Sequence, residues 1–169
     1  KSAGKAAMSK IDARAVQGAI AQRGFNICIG LPAALLAIAL LARANLEFLE
    51  TPVTSPENLK IAGFALIAVA LAVLAFVFLR KRSILKSEKL IAEIRSHPAN
   101  IAEILSNQLY PLFFIAAIPA AIGLIFYFLG GDLDTYVLIS VFCPAGLMIL
   151  KPRESEIEQL ESELPGSED

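Results

Sequence analysis

The sequence predicts an all-α integral membrane protein: a four-helix bundle with an inner-side amphipathic helical hairpin and a short acidic C-terminal helix. Three observations carry this. Of 169 residues, 56% are hydrophobic and 18% charged, against about 25% charged in soluble domains. The apolar residues gather into four stretches free of Asp, Glu, Lys, Arg and His. All of the 15 Lys and Arg residues except Arg43 and Lys60 fall on one side of those stretches, as the positive-inside rule requires when both termini are cytoplasmic.

Residues 1–23 form a basic amphipathic N-terminal segment. Ile11, Ala15, Val16, Ala19 and Ile20 recur on one helical side, with Arg14 and Gln17 elsewhere. Residues 1–7 are expected to be a tag remnant or the end left after a transit peptide is removed. The four-span transmembrane domain covers 24–150. Its spans are expected near 25–43, 61–79, 110–129 and 134–150, the first three close to the roughly 20 residues a bilayer core requires. The shorter fourth span is admitted by its run of aliphatic residues from Leu147 to Leu150. The outer loop 44–60, with Pro52 and Pro56, is read as irregular cover. Gly130-Gly131-Asp132-Leu133-Asp134 is short enough to set spans three and four antiparallel. Tyr110, Tyr127 and Tyr136 stand at span ends, where an aromatic belt is expected.

The inner loop 80–109 is the largest element outside the bilayer. Ser83 to Ser96 has helical spacing, with Ile84, Leu85, Leu90, Ile91 and Ile94 near one face. Arg80, Lys81, Arg82, Lys86 and Lys89 then lie beside the headgroups, where each cation is worth about 1 kcal/mol on an anionic surface. These five are the candidate lipid-headgroup contacts. Ser96-His97-Pro98 breaks the helix, and Pro98 suits the first turn of a second one that ends before Tyr110-Pro111 opens span three. In the tail, 151–169, Ser155 and Glu158 have capping-box spacing. Ile157, Leu160 and Leu164 make an apolar stripe among glutamates, a candidate partner-docking face. Solvent and the chain's own basic loop are the alternative destinations for that acidic helix.

The missing chemistry narrows function. Walker A, G-x-G-x-x-G, H-E-x-x-H and G-x-S-x-G patterns are absent from the sequence. Ion-coupled carriers usually place acids, His or Arg at membrane depth, and the four stretches hold none. Asp132 and Asp134 read as turn residues rather than a metal pair, and His97, the only histidine, as a cap or surface residue. Cys28 and Cys143 fit no thiolate metal spacing and read as small buried apolar residues. The expectation is therefore no enzyme, no cofactor and no metal. Net charge −1 gives no bulk basicity for nucleic acid. Small residues on the spans (Gly30, Ala34 and Ala37; Ala68, Ala72 and Ala75; Ala116 to Gly123) are expected to serve mainly the bundle's own packing. The function read from this is an accessory, assembly or scaffold subunit of a larger membrane complex, with a small homo-oligomeric channel or carrier as the alternative. Its expected partners are anionic inner-leaflet lipid and other membrane subunits. Its expected home is a bacterial inner membrane, or a thylakoid or mitochondrial inner membrane.

Overall fold

Three of the helices start where a side chain, Asp12, Ser55 or Asp132, satisfies backbone N–H groups that a helix N-terminus leaves orphaned. The computed structural model describes residues 12–45, 55–97 and 100–162. The Asp12 carboxylate accepts from the Arg14 and Ala15 N–H groups and opens α1, Ala13–Phe25. Ser55 caps α3, Pro56–Leu85, with Pro56 at its first position, so the helix begins inside the segment read as irregular cover. Ser87 precedes α4, Glu88–Ser96, which ends at His97. Helix α5 is Ile101–Phe128, α6 is Leu133–Leu150 and α7 is Glu154–Ser162.

Four helical runs are long and apolar enough to cross a membrane: Ala13–Ala42, Pro56–Leu85, Ile101–Phe128 and Leu133–Ser162. Three of the expected elements join differently. The N-terminal amphipathic segment is not separate from span one: α1 runs through a π-helical turn, Asn26–Gly30, into α2, Leu31–Asn45. Pro32 accounts for that turn. Its ring clashes with the carbonyl four residues back and it has no N–H, so a wider turn, closed by the Leu31 N–H on the Asn26 carbonyl, carries the helix past it. The 83–96 helix is really two pieces, because α3 continues to Leu85 and breaks at Lys86-Ser87. The helix expected to open at Pro98 and end before Tyr110 instead runs unbroken through Pro111 and Pro119 to Phe128; Pro98 itself lies outside the described residues, as do 1–11, the loop around Pro52, and Leu164.

The reversal between α5 and α6 follows directly from its sequence. Gly130 takes φ 98°, a left-handed conformation cheap only for glycine. This lets the Gly131 N–H reach the Phe126 carbonyl and the Gly130 N–H reach Tyr127, closing α5 in a Schellman motif. Asp132 then caps α6, its carboxylate taking the Thr135 N–H at 2.6 Å and the Thr135 hydroxyl at 2.8 Å.

Helix α5 is the centre. It packs on α6 most extensively, and also on α3, α1, α2 and α4, whereas α2 and α3 make little contact with each other. Close approaches need missing side chains: a Cβ on Gly146 would stand 2.6 Å from the Ala116 Cβ, and one on Gly24 would strike the Phe113 ring. The buried apolar residues form two groups. The larger runs from Val16 and Ile20 through Leu90, Ile94, Leu105 and Leu109 to Ile157 and Leu160, at the end we call the cap. The smaller, at the opposite turn end, joins Ala39 to Tyr127 and Tyr136. Those two tyrosines are buried against each other, with ring centroids 6.2 Å apart. They are core residues and not a lipid-facing belt; of the three expected belt residues only Tyr110 is exposed.

Candidate functional site

One lysine organises the cap. Lys81 belongs to the basic end of α3, yet its side chain is only 6% exposed. It lies on the same helical face as Gly63, Ala70 and Val77, the buried residues of α3, because positions seven or eleven apart return to nearly the same angle. Its ammonium donates to the Glu156 carboxylate at 2.7 Å and to the Lys151 carbonyl at 3.2 Å. The second contact places a cation at the negative C-terminal end of the α6 dipole. Glu156 in turn accepts the Arg153 N–H at 2.7 Å, reaching back from the third position of α7 to its N-cap. That is one half of a capping box, built two residues earlier than the Ser155–Glu158 pair expected from spacing. The Pro152 carbonyl accepts from Gln17 Nε2 at 2.9 Å, tying the same junction to α1.

Beside this node lies a groove of about 840 Å³. Helix α3 supplies Phe78, Lys81, Arg82, Leu85 and Lys86, which recur at helical spacing on one face. The end of α6 and its continuation give Met148, Ile149, Lys151 and Arg153; α7 adds Glu156, Gln159 and Leu160. Arg82, Lys86, Lys151 and Arg153 are exposed, and none of them forms an ion pair with a described acid. Phe78 and Met148, 49% and 76% exposed, line it on the side toward the spans.

The five cations chosen from sequence therefore divide. Arg82, Lys86 and Lys81 line the groove, Lys81 with its ammonium turned inward onto Glu156, and Arg80 and Lys89 are exposed away from its lining. Ile157 and Leu160, read as a docking stripe, are 1% and 6% exposed within the chain's own core. The physical reason is that α7 follows α6 after only a short link held by Lys81 and Gln17, so its apolar side meets α1 before any other protein. Lys151 and Arg153 were missed; the signal available was a pair of cations just past a span end. His97 sits at the exposed C-cap of α4, its Nδ1 2.9 Å from the Ser96 hydroxyl. Cys28 and Cys143 are free and buried, their thiols 3.7 and 3.8 Å from the Phe113 and Ala117 carbonyls, one turn apart on α5.

The fold defines a class: four helices of membrane-crossing length and apolarity make this a multi-pass membrane protein. Comparison with protein-family profiles, curated proteins and solved structures finds no match to the chain.

Proposed function

We propose that the protein is a non-catalytic accessory or assembly subunit of a larger membrane complex, embedded as a four-span bundle with the cap end and both termini on the inner side. The observation that carries this reading is the direction of the small residues. In α3 the buried face is Gly63, Ala70 and Val77, while Ala65, Ala68, Ala72 and Ala75 are all exposed on the opposite side. Gly30, Ala34 and Ala37 of span one are exposed as well, and a Cβ on Gly30 would meet nothing within 4 Å. Apart from Ala65, those residues were expected to pack the bundle itself; of the α5 set, Ala116, Ala117, Ala120 and Gly123 do so, while Ala121 is exposed. In lipid, small residues matter because they let helix backbones approach. Two outward small faces on the two flanking spans fit neighbouring transmembrane helices of another chain better than lipid tails.

Transport through a single copy has no comparable support. The space enclosed by α3, α5 and α6 near Pro119 holds about 10 Å³, the room of roughly one water. Cys28 and Cys143 are both fully buried.

The test is native particle size after gentle extraction from the protein's own membrane. A discrete assembly well above 18.1 kDa plus detergent, containing other membrane proteins, supports the subunit reading. A lone chain or a small homo-oligomer overturns it and turns attention to flux.

A further inference from the structure

We infer that the cap groove binds the headgroup of one anionic phospholipid, with the acyl chains leaving along Phe78 and Met148. Five cations and one carboxylate line the cavity, and the carboxylate, Glu156, is already engaged by Lys81 and the Arg153 N–H. Arg82, Lys86, Lys151 and Arg153 are left converging from two segments, the end of α3 and the α6–α7 link, on one space without a described acid of their own. A soluble anion would need no more than that. The groove, however, is half apolar: Phe78, Met148 and Ile149 lie along its span side, where α3 and α6 enter the predicted spans 61–79 and 134–150. A cationic half at the membrane surface joined to an apolar half at its edge matches a molecule with a phosphate at one end and hydrocarbon at the other. Its volume, about 840 Å³, falls in the range of ordinary ligand pockets, which suits a headgroup and the first part of its chains.

Lys81 is the positioning residue here. By holding Lys151 and Glu156 it sets where α7 leaves α6, and hence where Lys151 and Arg153 point. The site needs the spans to sit in a bilayer but no partner subunit, so it is tested on the chain alone and fails or stands separately from the subunit proposal.

The sequence contains no tryptophan, which gives a clean probe. Met148→Trp places one indole at the groove mouth, on a side chain already 76% exposed. The variant is reconstituted in phosphatidylcholine vesicles and titrated with acyl-brominated phosphatidylglycerol or acyl-brominated phosphatidylcholine. The expected result is preferential quenching by the anionic lipid, on the order of tenfold in relative affinity. The preference should vanish when Lys151→Gln and Arg153→Gln are added, and persist when Arg80→Gln and Lys89→Gln are added instead. These two pairs remove the same charge, and all four side chains are exposed. Equal loss in both pairs would mean general surface potential and would overturn the site. Displacement of the lipid by millimolar inorganic phosphate would overturn it in favour of a soluble anion. Displacement by a glutamate-rich peptide at lower concentration than the lipid would overturn it in favour of a protein segment. Unchanged melting of the Lys151→Gln/Arg153→Gln pair keeps a misfolded variant from passing as support.

Discussion

The two ends of this molecule are built on different physics. At the cap, short amphipathic helices surround the first turns of α5 and bury Leu90, Ile94, Leu105, Ile157 and Leu160 almost completely. That is how a water-soluble domain is held: apolar surface leaves water. Beyond the cap, α3, α5 and α6 expose Phe64, Leu71, Ile125 and Val141 outward, and contact between them depends on residues with little or no side chain, such as Gly146 against Ala116. Lipid tails are as apolar as leucine, so burial there supplies almost no drive, and close approach does the work. The same contrast explains why the Lys81–Glu156 ion pair sits in the cap. A charge there has a partner, a carbonyl and nearby water; in the bilayer core it would have none.

Matched truncations at the two ends should break or sharpen this comparison. Leu105→Ala in the cap should cost about 3 kcal/mol, the transfer term plus a cavity, read as a fall in apparent melting temperature in mild detergent. Ile139→Ala, equally buried but within span four, should cost clearly less, about 1–2 kcal/mol, because its unfolded reference is lipid and little beyond lost packing remains. Equal costs would erase the distinction. Next in size is Glu156→Ala, which leaves the Lys81 ammonium buried without its acid and frees the α7 N-terminus; about 2 kcal/mol is expected, while Glu156→Gln, which keeps an acceptor oxygen, should recover part of it. Gly146→Ala should cost about 1–2 kcal/mol by forcing α5 and α6 apart. Gly30→Ala, with open space where the Cβ would go, should leave melting of the isolated chain unchanged or slightly raised. Removing residues 154–169 should destabilise the cap rather than merely release a partner, because Ile157 and Leu160 leave the core with them.

Much of the fold could be read from sequence because membrane spans announce themselves by what they lack. Span four, expected at 134–150, is α6 at Leu133–Leu150, since Asp132-Leu133-Asp134 on one side and Lys151-Pro152 on the other mark its ends. The helical joints were harder. Pro111 reads as a breaker, yet α5 passes through it, because neighbouring helices in a packed bundle tolerate one unmade hydrogen bond. Facing was the least legible. Ala72 and Ala117 have the same composition and spacing signal, but one is exposed and the other 2% exposed; only the pairing of whole helices decides that. The groove escaped for a related reason. Arg82 and Arg153 are far apart in the chain, and the inward turn of Lys81 that brings their segments together depends on Glu156; spacing leaves the chain's own basic loop as one destination for the acidic helix but does not say which cation meets which glutamate.

The most direct test of the account is the outward face of α3. Ala68→Leu with Ala72→Leu fills that small-residue stripe without touching the buried face. Native particle size and melting temperature are then measured on protein extracted from its own membrane. The double variant is expected to run as a lone chain with unchanged melting. A double variant that keeps the same partners and the same native mass would show that this face meets only lipid, and would contradict the subunit reading.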